Sequence, residues 1–206
     1  MLLFPWLAIV GGLESAVIAG TVLLGGLLLP AITYGWNENF TLLAGWYRTV
    51  TDTTAPNLLD AENISFATMW AKWLGAGTPA SRLALATDLA GITLIAIVLV
   101  WRRRARHPLY LEFGLLMLMI PMLSPQGWDY VLLIAAPVFF LLFDRWFDVA
   151  MPWRIATAIA VFLVSFTIFD LVGRAAYTQF MLFSAVTLGG LLLAACLTHL
   201  RWKALA

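Results

Sequence analysis

The 206-residue chain is 63% hydrophobic and 11% charged, with a net charge of +1 and a mean hydropathy of +0.93. Soluble domains carry roughly a quarter of their residues as charges, so this composition excludes a water-soluble domain and points to a chain that crosses a bilayer. The near-neutral balance and the lack of a long basic stripe exclude a nucleic-acid partner. One cysteine, Cys196, and two distant histidines, His107 and His199, exclude an intrachain disulfide and speak against a zinc cluster. No metal and no cofactor is expected.

In chain order, residues 1–10 are apolar but lack the basic start and small-residue cleavage site of a signal peptide. A membrane-crossing helix needs about 20 residues, so this stretch reads as the second half of a helix whose start is missing. Gly11, Gly12 and Glu14 break the run, and residues 16–34 supply the next span.

Residues 35–77 form the only long polar segment, with Asn37, Glu38, Asp52, Asp60, Glu62 and Asn63. Inside it Phe40, Leu43, Ala44, Tyr47 and Val50 recur at helical spacing, and so do Phe66, Met69, Trp70, Trp73 and Leu74. Two amphipathic helices lying in the membrane interface are expected, with Asn63 as N-cap of the second. Thr53 to Glu62, which carries Pro56, reads as the loop between them. These helices either cap the bundle or line an amphipathic groove in which Asp60, Glu62 and Asn63 meet a polar headgroup. Asn39-Phe40-Thr41 and Asn63-Ile64-Ser65 match the N-glycosylation pattern, a match read as coincidence.

Thr78-Pro79 is a helix-start signal, and the span 79–100 ends in Arg102, Arg103, Arg104 and Arg106. A span at 109–123 stops at Ser124-Pro125-Gln126-Gly127, a dense turn signal. The next, 131–143, carries Pro137; these two are short, and kinks are expected where Pro121 and Pro137 interrupt backbone bonding. Residues 153–172 and 179–200 complete the set, with Asp170 and Arg174 spaced as an i, i+4 pair. The expected fold is all-α: a polytopic transmembrane bundle of about five full spans plus a truncated N-terminal helix, forming one membrane domain over 1–206.

Orientation follows from basic residues, which accumulate on the cytoplasmic side. With the 102–106 cluster inside, Arg145, Arg154, Arg201 and Lys203 join it, leaving Arg48, Lys72, Arg82 and Arg174 outside. Segments 35–77 and 124–130 then share the external face. Glu14, Glu112, Asp144 and Asp148 fall on the inner side and read as structural.

Several residues carry two readings each. Asp129 is a turn acid or helix cap, or it orients a hydroxyl. Trp128 is an interfacial anchor or a stacking surface. Asp88, inside a span, is a buried hydrogen-bonded acid or a functional carboxylate. Arg48, Lys72 and Arg82 are snorkelling cations or partners for a phosphate.

The order of parts resembles glycosyltransferase family 87, multi-pass enzymes of the GT-C architecture. Three places carry the resemblance: the aromatic helix at 36–50, the Asn63-Ile64-Ser65 segment leading into an amphipathic helix, and Ser124-Pro125-Gln126-Gly127-Trp128-Asp129-Tyr130. The last is similar to the family's Ser-Pro-x-Ser-Trp-Asp-His turn, with Gly127 and Tyr130 at the serine and histidine positions. The likeness covers the chain as the C-terminal half of a typical member.

What the resemblance implies is transfer of a sugar from a polyprenyl-phosphate donor to a lipid or glycan acceptor on the external face of a bacterial plasma membrane. A carboxylate in the first external loop would be the general base; that loop belongs to the N-terminal half, so the chain by itself is expected to be inactive. The substrate-binding candidates are Asp60, Glu62, Asn63, Asp88, Trp128, Asp129 and Tyr130. Arg48, Lys72 and Arg82 are the phosphate-contacting candidates. A small multi-pass transporter, its short helices broken at Pro121, Pro125 and Pro137 and with Asp88 within a span, or a non-enzymatic membrane subunit, are the rival readings.

Overall fold

The computed structural model describes residues 3–101, 109–165 and 169–203. The basic cluster at 102–106 and His107 lie outside them. Every regular element among the described residues is helical, and the chain divides into two compact units, Met1–Pro56 and Asn57–Ala206.

In the first unit α1 spans Leu3–Leu28, α2 Ala31–Tyr34 and α3 Trp36–Asn57. The bounds of α1 take in two helical stretches that meet at a kink, where the sequence expects the first apolar run to break. The expected break at Gly11–Gly12 is a kink: Gly12 takes φ 76°, which glycine adopts without a Cβ clash, and helix resumes on both sides. Leu3–Tyr34 together make an apolar helical run of 32 residues.

The break between α2 and α3 is Gly35, at φ 82°. α3 runs through Thr53–Asn57, which the sequence reading gave to a loop, with Pro56 in its last turn. Four threonines of its second half (Thr49, Thr51, Thr53 and Thr54) return their hydroxyls to carbonyls four residues earlier. Asn39 is its one buried residue and donates to Leu27 O at 3.2 Å.

The second unit contains α4 Phe66–Leu74, α5 Thr78–Val100, α6 Leu109–Leu123, α7 Ala136–Asp144, α8 Met151–Ser165, α9 Phe169–Val172, α10 Arg174–Leu182 and α11 Ala185–Lys203, with 3-10 turns at Asp129–Ala135 and Trp146–Asp148. Here too the sequence spans are redrawn. The segment at 131–143 is half 3-10 turn and half α7, and Pro137 sits in the first turn of α7, where its missing N–H has no helical partner to lose.

Gly173, at φ 80°, separates α9 from α10, so Asp170 and Arg174 stand on different helices instead of one face. Ser184, at φ 60°, separates α10 from α11, so 179–200 is not one span. Among the described residues three helical runs are long and apolar enough to cross a membrane: Leu3–Tyr34, Thr78–Val100 and Ala185–Lys203; Leu109–Leu123 and Met151–Ser165 are apolar but shorter.

α11 packs against both α8 and α6. Its Gly189-Gly190 pair permits this: a Cβ on Gly189 would stand 2.8 Å from Val164 of α8, and one on Gly190 2.8 Å from Met122 of α6. Small residues at a helix crossing let backbones approach where lipid offers no hydrophobic drive. The core built there includes Leu116, Leu118, Met119, Met122, Leu193 and Leu197, all essentially solvent-free.

Glu112 of α6 and Arg201 of α11, which the sequence places on the inner side, are buried together. Arg201 Nη2 lies 3.4 Å from Glu112 Oε1 and 3.3 Å from the Val98 carbonyl of α5, with side-chain exposures of 3% and 0%. A buried pair of this kind offsets its own desolvation only while both charges are present.

Candidate functional site

The two turns that the sequence singled out, around residues 60–65 and 124–130, meet. Asn63 and Trp128 form an isolated antiparallel bridge, with Ile64 N donating to Gly127 O at 2.7 Å and Asp129 N to Glu62 O at 3.0 Å. Asn63 is not the N-cap of α4. That role belongs to Ser65, whose hydroxyl accepts from Thr68 N.

Asn63 joins the turns: its Nδ2 donates to Asn57 O and to Pro125 O, and its Oδ1 accepts from Ser65 N. Buried side-chain amides need such partners, and here every polar atom has one. Both sequons are therefore closed to modification, since Asn39 and Asn63 are each 1% exposed.

Gly127 is dictated by the same junction. A Cβ there would overlap the Pro121 carbonyl oxygen, so the serine of the resembling turn has no room. Trp128 and Tyr130 stack beside it, centroids 6.4 Å apart and planes within 7°.

Lys72 of α4 holds the loop from beneath. Its ammonium donates to Ala61 O at 2.8 Å, Asn63 O at 2.9 Å and Met181 O at 3.1 Å. An ammonium has three donors, and all three are engaged, which removes Lys72 from the phosphate-contacting candidates. Burial lowers its pKa to about 8, against the charges of Asp60 and Asp129, which raise it. The start of α11 grips the loop as well, through Thr187 Oγ1 donating to Ile64 O at 2.9 Å.

Above this scaffold opens a cleft of about 670 Å³, lined at its polar end by Glu62, Asp129, Tyr130 and Tyr177 and along its walls by Leu132, Leu133, Phe139, Val164, Phe169 and Val186. This volume falls within the usual range for small-molecule sites. Asp129 Oδ2 accepts from the Tyr177 hydroxyl at 3.4 Å. Burial, then the charges of Asp129 and Glu62, then that hydrogen bond and the charge of Asp60 push the Tyr177 phenol up to about 12. Tyr177 therefore stays a donor at any physiological pH. Asp60 stands outside the cleft lining and accepts from Glu62 N at 2.9 Å, fixing the turn from which Glu62 projects.

Of the sequence candidates, the structure thus gathers Glu62, Asp129 and Tyr130 into the cleft, with Asp60, Asn63, Lys72 and Trp128 as its frame. Asp88 and Arg82 lie on α5 and do not line it; Arg48 lies on α3 of the first unit. Asp88 is half-buried in mid-helix, and its Oδ1 has no hydrogen-bond partner among the described residues.

Sequence reasoning missed Tyr177, whose position on α10 carries no motif, and the apolar wall from the 3-10 turn. Of the apolar face of α4, Phe66 and Met69 are buried on the bundle together with Thr68 and Ala71, whereas Trp73 and Leu74 are exposed. Trp73 instead reaches Phe183 O with its indole N–H at 3.3 Å.

Comparison with known proteins returns no matching family, no similar curated protein and no similar solved structure. Fold and composition define the class: a helical protein with three runs fit to cross a membrane, hence a membrane protein.

Proposed function

We propose that the chain is the C-terminal membrane portion of a glycosyltransferase of the family 87 type, moving a sugar from a polyprenyl-phosphate donor to a lipid or glycan acceptor. One observation carries the reading: the turn at 124–130, on which the resemblance rests, forms with Glu62 the polar end of an amphipathic cleft. In this reading the cleft opens on the external face of a bacterial plasma membrane and takes the lipid acceptor. Glu62 and Asp129 accept hydrogen bonds from its head, and Tyr177 fixes the rotamer of Asp129. The general base sits in the N-terminal portion of the enzyme. The donor phosphate is met by a cation outside the cleft, with Arg82 as the candidate in this unit.

The test is transfer of radiolabelled sugar from a polyprenyl-phosphate donor into lipid, in membranes carrying the complete reading frame. The expected result is transfer that Asp129→Asn and Glu62→Gln each reduce at least tenfold, roughly the range of a positioned polar contact. Transfer unaffected by both variants, or absent with every donor offered, overturns the reading.

Asp88 supports a second reading. A partnerless carboxylate oxygen within a span is costly and by default functional, as in a small transporter. Solute flux into proteoliposomes that Asp88→Asn abolishes would establish it; flux that is absent or insensitive to Asp88 removes it.

A further inference from the structure

The apolar groove is continuous with a polar end of one sign. Glu62 and Asp129 supply two carboxylates there, and no lysine, arginine or histidine among the described residues lines the cleft. The bridge explains how they come to face each other. Asn63 opposes Trp128, so Glu62 opposes Asp129, joined by the bond from Asp129 N to Glu62 O. Both residues line the same end of the cleft, and like charges gathered there repel.

Lys72, beneath them, is within electrostatic reach of Asp129, but its three donors are taken by carbonyls, so among the described residues no cation donates to either carboxylate from within the cleft. The mouth is aromatic, with Tyr130, Phe169 and Tyr177, and the walls are aliphatic; Leu133 on the lip is 79% exposed.

We propose that this groove binds an amphiphile whose head carries a protonated amine, the tail lying along Leu132, Leu133, Phe139 and Val186 and the ammonium resting between Glu62 and Asp129. An ammonium makes charge-assisted hydrogen bonds to both carboxylates and is attracted by the faces of Tyr130 and Tyr177. It also cancels the repulsion between the opposed acids, which a neutral head leaves in place. A phosphate head would add a third negative charge. The inference rests on the proposed function only in taking this cleft as the lipid site; it specifies the charge of the head and does not depend on sugar transfer.

The experiment uses the full chain in phosphatidylcholine nanodiscs, titrated calorimetrically at neutral pH with dodecylamine, dodecyl phosphate and dodecyl maltoside, with empty nanodiscs subtracted. Expected is saturable binding of dodecylamine, about tenfold or more tighter than either other amphiphile and weakened about tenfold by Glu62→Gln and by Asp129→Asn. Leu133→Lys, at a 79% exposed position on the lip, places a cation in the groove and should abolish amine binding while leaving helical content unchanged. That variant decides the matter if the carboxylate variants fail to fold.

Equal or tighter binding of dodecyl phosphate or dodecyl maltoside, or no saturable binding, overturns the proposal. Amine binding with no sugar transfer by the complete frame removes the transferase reading alone. Sugar transfer with a preference for dodecyl phosphate removes the amine assignment alone.

Discussion

The Asn63 side-chain amide donates to the Pro125 carbonyl at 3.0 Å, across 62 residues of sequence, so one asparagine ahead of α4 closes the turn that follows α6. The same nitrogen reaches Asn57 O, and the amide oxygen accepts from Ser65 N. Asn63→Ala leaves three backbone groups without these partners, and an unsatisfied buried group costs about 1–3 kcal/mol. The variant is expected to be destabilised by at least that amount in detergent unfolding. Asn63→Asp, which sets a buried carboxylate oxygen against the Asn57 and Pro125 carbonyls, should be at least as destabilised. Equal stability of Asn63→Ala and the parent chain would show that the two turns are held by other contacts.

Gly127 gives a sharper steric test. Its Cβ would overlap the Pro121 carbonyl, which is backbone and cannot rotate away. Gly127→Ser should therefore separate the turns and yield little monodisperse protein. Gly26→Ala, where nothing lies within 4 Å of the added carbon, should purify like the parent. Size-exclusion profiles of the two variants decide it.

Lys72 predicts a pH dependence with a definite sign. Its folded pKa of about 8 lies below the ordinary 10.5, so between these values the unfolded chain holds a proton that the folded chain has released. Stability then rises with pH across that window. Below pH 8 both states are protonated, and the cost of burying the charge is constant. Lys72→Met should lose this rise, which denaturant midpoints measured at several pH values would reveal. A parent chain whose stability relative to Lys72→Met is flat or falls from pH 8 to 10.5 contradicts the assignment.

Tyr177 should behave in the opposite sense. Its phenol, pushed up to about 12, keeps its proton in the folded state over a range where an unfolded tyrosine has lost it. Asp129→Asn removes one of the charges responsible and should move phenolate formation, followed by ultraviolet absorbance, to lower pH. The Tyr177→Phe difference spectrum identifies the transition. No movement would mean that Asp129 does not act on this hydroxyl.

The Glu112–Arg201 pair makes a fifth case. Removing one partner leaves a buried charge unpaired, typically about 3–5 kcal/mol, whereas replacing both with apolar residues is often neutral or better. Glu112→Leu should therefore destabilise the bundle strongly, and Glu112→Leu with Arg201→Met should recover most of the loss. A double variant as unstable as the worse single one would show that the pair holds α6 and α11 by more than mutual neutralisation.

By itself the sequence determined that the chain is helical and belongs in a membrane, because both follow from local quantities. Few charges and long apolar runs decide the solvent, and glycine and proline mark turns, as at Gly35 and Ser124–Gly127. It also marked the two turns that build the cleft, because Asn-x-Ser and Ser-Pro-x-x-Trp-Asp concentrate polar side chains where apolar periodicity stops.

The tertiary structure decided what those residues touch. Asn63 read as a helix cap because caps are recognised by position, yet its partner Pro125 lies 62 residues away. Lys72 read as a free cation because nothing local shows three carbonyls converging on it from two segments. Arg201 counted only as one more inner-side basic residue, because only the approach of α6 to α11, which Gly190 permits, brings Glu112 within reach. Tyr177 stayed invisible for the same reason: its role comes from Asp129, 48 residues earlier, and no pattern along the chain encodes that distance. Polarity along the chain fixes which segments leave water, but pairing across the fold depends on packing geometry, which no single segment contains.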